Sequence, residues 1–358
     1  MTTILPRKGM PDVQLTREEF ARRFRDRFYD PAFAVNEAAI AEIIDTAWNG
    51  YDVYRKNPRQ SLAGEGFANP DAKLPDEWLD TRNRIRAAEA RQKAPDSPLR
   101  ILLINGSMRS DQSCPGEMSK SWRLLQLARE VISAESGFEI EVLDLSLLTS
   151  QYGRLIHPCK ACVSTAQPLC HWPCSCYPNY AMGQVNDWMN DIYPMWAAAH
   201  GVMIVTPVNW YQAPAGLKAM IDRLVCADGG NPDLTTTGKD PVKAKAIEMQ
   251  GWDYPRHLAG RLFSVVVHGD AAGVENLRRI LTDWLTDLGL IPAGRRAQID
   301  AFIGYLGTYA ENHLDLDKDL GIQEDVRTAA RSLVNAVKLQ RAGKLQQPDA
   351  GLHEARPK

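Results

Sequence analysis

The sequence predicts an α/β domain with a doubly wound, five-stranded parallel sheet, flanked by helical extensions at both ends. Short apolar runs alternate with amphipathic stretches between residues 99 and 304, and this alternation is typical of a parallel sheet with helices on both faces. The outer parts of the chain are more polar and partly helical in pattern. We therefore divide the chain into a helical N-terminal extension (1–98), the α/β domain (99–304), and a helical C-terminal extension with a mobile tail (305–358).

The N-terminal extension is rich in Arg and Ala and is predicted to be mostly helical. The stretches REEFARRFRDRFYD and VNEAAIAEIIDTAW carry apolar positions three and four apart, which favours amphipathic helices. A Gly- and Pro-rich connection, SLAGEGFANPDAKLPDEW, precedes a further helical stretch, TRNRIRAAEARQ. The following KAPDSP marks a hinge into the α/β domain.

Strands and helices alternate within the α/β domain. A buried strand reads as a short, uninterrupted apolar run, whereas a half-buried strand alternates between apolar and polar residues. Pro194 is expected to break or kink the helix that contains it. In chain order, the predicted strands are Leu99–Asn105, Phe138–Leu145, Gly201–Val208, Arg261–His268 and Ala297–Gly304, and the predicted helices are Ser119–Ser133, Val185–Ala199, Pro214–Val225 and Val274–Leu288.

Composition excludes several classes of protein. The 358 residues are 44% hydrophobic and 24% charged, with a net charge of −2. These are ordinary globular values, and they argue against a nucleic-acid binder that relies on a basic surface. The N-terminus has no apolar core long enough for a signal peptide, and no apolar run approaches the length of a membrane helix. We therefore expect a soluble, cytoplasmic protein with no nucleic-acid or membrane partner.

The loop after the first strand of the domain carries hydroxyl and basic side chains. In an open parallel sheet, ligands bind beyond the carboxyl ends of strands, where the strand order reverses. Gly106 permits a tight turn at this point, and the free N–H groups of the helix that starts near Ser119 favour an anion. The loop matches neither GxGxxG nor GxxxxGK[ST], so a monophosphate fits better than a dinucleotide or a nucleoside triphosphate. The structural alternative is an ordinary turn capped by serines. The polar side chains of the loop are Ser107, Arg109, Ser113, Ser119, Lys120 and Ser121.

Two later loops carry ligand-binding features. In TPVNWYQAPAGLKAMIDRL, the pair Trp210 and Tyr211 could offer a flat wall to a heterocycle, and core packing is the alternative. Lys218 and Asp222 in the same stretch fit best as a surface ion pair on a helix. In HGDAAGVENLRRIL, two glycines let the backbone approach a ligand closely.

In these three loops the chain resembles the flavodoxin-like NAD(P)H-dependent FMN reductases, over roughly residues 99 to 295. The matching residues are Gly106-Ser107-x-Arg109, Thr206-Pro207-x-Asn209 with Gly216-x-Lys218-x-x-x-Asp222, and His268–Gly273 ahead of a helix and LGL. The insertion SDQSCPGEM makes the first loop longer than the family's common form. The resemblance implies a flavodoxin-like fold in which the FMN phosphate is held by Ser107, Arg109, Ser119, Lys120 and Ser121, the isoalloxazine ring is bordered by Pro207, Val208, Asn209, Trp210 and Tyr211, and its other edge lies along His268, Gly269 and Asp270.

The resemblance also implies an activity. NAD(P)H would reduce a small acceptor (a quinone, a flavin, a metal ion or an electron carrier) through FMN, in a homodimer or homotetramer. Because the flavin would carry the hydride chemistry, no catalytic side chain is predicted. Two alternatives remain open: an iron–sulfur flavoprotein that transfers electrons or senses redox state with little NAD(P)H turnover, and a zinc-stabilised scaffold with a vestigial flavin site.

A cysteine cluster follows the second strand of the domain. It contains five of the seven cysteines of the chain, and clustered cysteines in a chain with no secretory signal are typical of metal-binding or redox sites. The pattern partly resembles the compact Cys motif of iron–sulfur flavoproteins, with wider gaps. A [4Fe–4S] cluster or zinc on four of the five, a redox-active dithiol, and free thiols all remain open. Of the other cysteines, Cys114 lies in the first loop, where its thiol is either activated by basic neighbours or buried, and Cys226 is predicted in the core. The cluster consists of Cys159, Cys162, Cys170, Cys174 and Cys176.

Overall fold

The main sheet of the protein is parallel. The computed structural model describes residues 15–109, 119–270, 272–305 and 311–346. The strands of this sheet are β3 (Leu99–Asn105), β4 (Phe138–Asp144), β5 (Gly201–Pro207), β6 (Leu262–Gly269), β7 (Ile291–Pro292) and β8 (Gln298–Phe302). The strand order is β4-β3-β5-β6, so β4 lies at one edge, and the other edge beside β6 is occupied by the short strands β7 and β8. This is the 2-1-3-4-5 order of flavodoxin-like folds, with the fifth position shared by two strands.

Helices cover both faces of the sheet and bury two separate apolar cores. Strands β3, β5 and β6 are almost fully buried along their length, because their side chains point alternately into the two cores. The principal helices are α3 (Asp76–Lys93), α6 (Met189–Ala198), α7 (Ala215–Arg223) and α10 (Val274–Asp287) on one face, and α4 (Lys120–Ser133) and α12 (Leu320–Arg341) on the other. The core on the first face, the α6-side core, includes Ile104, Trp196 and Leu281. The core on the second face, the α4-side core, includes Ile101, Leu125 and Leu333.

Both predicted extensions contribute to these cores. Helix α12, from the predicted C-terminal extension, packs on α4 and on strands β5, β6 and β8. Helix α3, from the N-terminal extension, buries Ile85 and Ala88 in the α6-side core. The sheet would therefore lack part of its cover on each face without residues from outside 99–304.

The remaining elements are short or peripheral. The bounds of these elements are α1 (Arg17–Arg25), α2 (Glu37–Asp52), β1 (Gln60–Leu62), β2 (Lys73–Pro75), α5 (Leu147–Ser150), α8 (Leu234–Thr237), α9 (Pro241–Gly251) and α11 (Asn312–Leu316). An aromatic cluster that includes Phe20, Trp48 and Tyr51 joins α1 to α2. No helix in the described part of the chain is long and apolar enough to cross a membrane.

The structure differs from the predicted elements in several places, and helix α9 is not among the predicted helices. The connection predicted as Gly/Pro-rich loop forms the antiparallel hairpin β1–β2, whose first strand is fully exposed and so has no apolar alternation to read. Strand β7, only two residues long, was not predicted. Helix α6 begins at Met189 rather than Val185, because Asp187 forms a β-bridge with Leu155 and Trp188 donates its backbone N–H to the Leu155 carbonyl.

Candidate functional site

The carboxyl ends of β3, β5 and β6 meet at one edge of the sheet and surround a cavity of about 320 Å³. Strand order reverses between β3 and β5, since the chain moves from β3 outward to β4 and then returns to the other side. Such a switch point is the ordinary place for a ligand in an open parallel sheet. All predicted flavin-site residues except Trp210 and Tyr211 line this cavity: Ser107, Arg109, Ser119, Lys120, Ser121, Pro207, Val208, Asn209, His268, Gly269 and Asp270.

The first loop is fixed from beneath by the end of β3. The Asn105 side chain donates to Asp144 Oδ1 at 2.7 Å and accepts the Ser107 N–H at 3.2 Å. The Ser107 hydroxyl in turn accepts the Arg109 N–H at 3.1 Å. Gly106 lies so close to β5 that a Cβ there would be 2.6 Å from Thr206 Oγ1. The polar start of this loop is therefore held rigidly against the sheet.

Helix α4 presents its N-terminus to the cavity. Ser119 is its N-cap, with the hydroxyl accepting the Trp122 N–H at 3.3 Å. The first N–H groups of a helix have no partner within the helix and carry a partial positive charge. Lys120 lies at this end, with its ammonium 5.7 Å from the centre of the Tyr305 ring. This end of the cavity is thus suited to an anion. Ser113 and Cys114, which precede the helix, lie outside the described residues.

His268 closes the floor of the cavity. Its Nε2 lies 2.7 Å from the Ser121 hydroxyl, while its buried Nδ1 has no hydrogen-bond partner among the described residues. Burial and the neighbouring charge of Lys120 lower the pKa of His268 to about 3. The imidazole is therefore neutral at physiological pH, with Nε2 in contact with Ser121 and Nδ1 buried.

Trp210 and Tyr211 form an exposed turn beside the cavity instead of lining it. Their side chains are 92% and 58% exposed, so the core-packing alternative is wrong. Reciprocal backbone hydrogen bonds of 2.9 Å between Asn209 and Gln212 close the turn. Both aromatic residues are left-handed, with φ of 45° and 67°, a conformation that costs a non-glycine residue roughly 1–2 kcal/mol. The fold thus holds two aromatic side chains in solvent at a cost in backbone energy.

Two further features agree with the predictions, and one residue of the cavity was not predicted. Lys218 and Asp222 form an exposed ion pair on α7, as the surface interpretation predicted. Cys226 is fully buried, as predicted. Met108 also lines the cavity and was not predicted; its sulfur packs where a Cβ on Gly216 would fall, a close contact between distant residues that no local pattern could indicate.

The cysteine cluster lies in the connection between β4 and α6, on the α6-side core. Cys162 Sγ and Cys176 Sγ are 3.3 Å apart. Cys170 is buried, which raises the pKa of its thiol well above the ordinary value. Cys159 accepts the Ala161 N–H at 3.3 Å. Within residues that the structure describes, no group of three or more His, Cys, Asp or Glu side chains is arranged to hold a metal ion.

Beneath the cluster lies a buried ion pair that sequence reasoning missed. Arg223 and Asp187 are each 1% exposed and meet through two hydrogen bonds, the shorter of 2.5 Å. Arg223 also donates to the His157 carbonyl at 2.8 Å and lies 4.7 Å over the Tyr177 ring. The two partners are far apart in sequence and carry no shared pattern, so only the fold brings them together.

The chain is similar in sequence to known proteins. Residues 99–300, which are more than half of the chain, match the family model of NADPH-dependent FMN reductases. A curated relative, an iron–sulfur flavoprotein from Methanosarcina thermophila, is 31% identical over 128 residues, which cover 36% of this chain and 53% of the relative. The chain thus spans about half the length of that relative.

Solved structures also show similarity. A crystal structure of RosB with bound 8-demethyl-8-formylriboflavin-5'-phosphate has a TM-score of 0.49 and 15% identity, covering 69% of this chain and 81% of that one. An apo NADH:FMN oxidoreductase has a TM-score of 0.38 and 14% identity, covering 70% of this chain and 92% of that one.

Proposed function

The chain belongs to the NADPH-dependent FMN reductase family, and on that premise we propose that it is an FMN-dependent oxidoreductase that uses NAD(P)H to reduce a small acceptor. The observation that carries this proposal is the cavity at the carboxyl ends of β3, β5 and β6, one end of which is suited to an anion and beside which lies an exposed aromatic turn. A quinone, a flavin, a metal ion or an electron carrier is the class of acceptor. A homodimer or homotetramer is part of the same proposal.

The cavity fits FMN by three features of its own. The N-terminus of α4 and the Lys120 ammonium supply positive charge for a phosphate. Gly269 allows the backbone to border a ligand closely, since a Cβ there would lie 2.6 Å from Val208 Cγ1. The unpartnered Nδ1 of His268 supplies a hydrogen-bonding atom that a polar ligand would satisfy. The residues that would hold the phosphate are Ser107, Arg109, Ser119, Lys120 and Ser121.

When bound, FMN would supply the hydride and electron chemistry, and the side chains would bind and orient. If the Ser121 hydroxyl donates a hydrogen bond to His268 Nε2, the ring proton is on Nδ1. Because the His268 pKa lies far below neutrality, this arrangement does not change between pH 6 and 8. Trp210 and Tyr211 would provide the flat surface beside the ring.

The Lys120→Ala variant, with Lys218→Ala as its control, tests the site. Each charge-assisted hydrogen bond is worth roughly 1.5–3 kcal/mol, so Lys120→Ala should weaken FMN binding about 10- to 100-fold in a fluorescence titration of the apoprotein. Lys218, already paired with Asp222 on the surface of α7, should be neutral. Steady-state oxidation of NADH and NADPH with quinone or ferricyanide then tests the activity. Equal FMN affinity in both variants would contradict the site, and FMN binding with no turnover would contradict the reductase.

The alternative is an iron–sulfur flavoprotein with little NAD(P)H turnover. It is supported by the name of the curated relative and by the gathering of five cysteines in one connection. The thiols do not fit a metal group as they are arranged, since no metal-holding cluster occurs among the residues with described positions. Assays of iron, zinc, acid-labile sulfide and flavin on one anaerobic aliquot decide between the two: stoichiometric iron with sulfide favours the alternative.

A further inference from the structure

We propose that Cys162 and Cys176 form a redox-active dithiol, which closes to a disulfide by exchange with a small disulfide such as oxidised glutathione. The sequence pairs Cys162 with Cys159 in a CxxC motif. The structure instead places Cys162 against Cys176, with 3.3 Å between the two sulfurs. An S–S bond is about 2.05 Å long, so the sulfurs need to approach each other by about 1.2 Å. This proposal does not depend on the flavin site.

The short separation of the sulfurs distinguishes this pair from the other cysteines. Cys162 and Cys176 are partly exposed, as are Cys159 and Cys174, whereas Cys170 and Cys226 are buried. A reagent in solution can therefore reach the pair. Cys159 accepts a backbone N–H from Ala161, which directs its sulfur to the local backbone.

The segments that carry the two cysteines are tied together by buried groups. Tyr177, next to Cys176, donates its hydroxyl to the Pro158 carbonyl at 2.5 Å, and its ring stacks on His157 with 4.9 Å between centroids. His157 in turn lies 2.9 Å from the Val185 carbonyl through Nε2. The segment before Cys162 and the segment around Cys176 are thus anchored to each other close to the sulfurs.

The buried Arg223–Asp187 ion pair also connects the segment around His157 to the segment around Tyr177. Arg223 binds the His157 carbonyl and lies over the Tyr177 ring, so one buried guanidinium contacts both segments. On the other side, the Trp78 indole N–H of α3 donates to the Pro173 carbonyl at 2.8 Å. Because both segments are fixed to the protein, the two thiols are held near each other in the reduced state, which favours ring closure over intermolecular oxidation.

The reaction proceeds by two exchange steps. One protein thiolate attacks a sulfur of the small disulfide, forming a mixed disulfide and releasing one small thiol. The second protein thiolate then attacks the protein sulfur of the mixed disulfide and releases the second small thiol. The protein loses two electrons and two protons, and the small disulfide gains them as two thiols. Neither flavin nor metal takes part.

The experiment uses the full chain and mass spectrometry. The purified protein is equilibrated with oxidised glutathione, free thiols are blocked with N-ethylmaleimide, and the protein is digested without reduction. No Lys or Arg lies between Cys162 and Cys176, so trypsin leaves both on one peptide. We expect this peptide to be about 2 Da lighter than its fully reduced form, with fragmentation locating the bond between Cys162 and Cys176. Cys162→Ser and Cys176→Ser should both lose this linkage. Cys159→Ser is the matched control, because it removes the other CxxC thiol and should retain the linkage.

Three results would overturn the proposal. A Cys159–Cys162 linkage would restore the pairing of the sequence motif. Complete alkylation of Cys162 and Cys176 after oxidation would show that the pair does not close. Stoichiometric zinc, or iron with acid-labile sulfide, in anaerobically purified protein would make the thiols metal ligands; this result is read independently of flavin content, so it is distinct from failure of the proposed reductase.

Discussion

Replacing Gly106 by Ala should damage both stability and flavin binding. A Cβ at this position would lie 2.6 Å from Thr206 Oγ1, 2.7 Å from Thr206 Cβ and 2.9 Å from Leu217 Cδ2. Ordinary contacts of a Cβ begin near 3.4 Å, so the first loop would have to shift by about 0.8 Å. Thr206 and Leu217 are fully buried and cannot move aside cheaply. Overpacking of this kind typically costs about 1–3 kcal/mol.

Urea unfolding and FMN titration of the same preparations measure the two effects. We expect the unfolding free energy of Gly106→Ala to fall by about 1–3 kcal/mol, and FMN affinity to fall as well because the loop carries Ser107. Gly321→Ala is the control, since its Cβ would meet only Asp319 Oδ1, at 3.3 Å, and Ala favours a helix by up to about 1 kcal/mol. A Gly106→Ala protein with unchanged stability and FMN affinity would show that the loop does not pack against β5 in this way.

Three further predictions concern other parts of the molecule. Asp187→Asn should lower the unfolding free energy by about 3 kcal/mol, because it leaves the buried Arg223 charge without its partner; a loss below about 1 kcal/mol in denaturant unfolding would contradict this. Trp210→Gly should leave stability within about 1 kcal/mol of the parent, because Gly relieves the positive φ of an exposed residue, yet it should change the KM for NAD(P)H or acceptor; an unchanged KM would remove Trp210 from the site. Acid should destabilise the protein, because burial lowers the pKa values of His171 and His268 to about 3. Below the unfolded-state pKa of about 6.5, the unfolded chain takes up protons that the folded chain does not, so the unfolding free energy should fall by up to about 2.7 kcal/mol per pH unit from the two groups. Urea midpoints at pH 7.5, 6 and 5 check this, and a flat profile would refute it.

The sheet and its cavity could be predicted because they follow from local pattern and topology. Uninterrupted apolar runs such as Ile101–Ile104 have few alternatives to a buried strand. Once the strands are parallel, their carboxyl ends share one edge, so Ser107, Asn209 and His268 must meet there although long stretches of sequence separate them. The loop residues were thus positioned by the strands, without any knowledge of loop conformation.

The connection between β4 and α6 could not be predicted in the same way. It contains few regular elements, and its contacts are pairwise and distant, such as Arg223 with Asp187 and Cys162 with Cys176. No periodicity encodes such pairs, so the spacing of the cysteines does not indicate that Cys176 lies beside Cys162. The positive φ angles of Trp210 and Tyr211 could not be predicted either, because neither residue is a usual occupant of a left-handed turn.

The positions of the two sites predict that the dithiol and the flavin cavity act independently. His268 bonds to Ser121 of α4, on one face of the sheet, whereas Cys162 and Cys174 pack on the core of the opposite face. Among the described residues, the Thr149 hydroxyl in the β4–α6 connection donates to the carbonyl of Met108, which lines the flavin cavity, at 2.9 Å. Changes at separate sites without shared partners add within about 0.5 kcal/mol. Oxidation of the wild-type protein should therefore alter FMN affinity by less than about threefold, and Cys176→Ser should alter it no more. A larger change that disappears in Thr149→Val would show that the link through Met108 couples the two faces, and would make the dithiol a regulator of flavin binding.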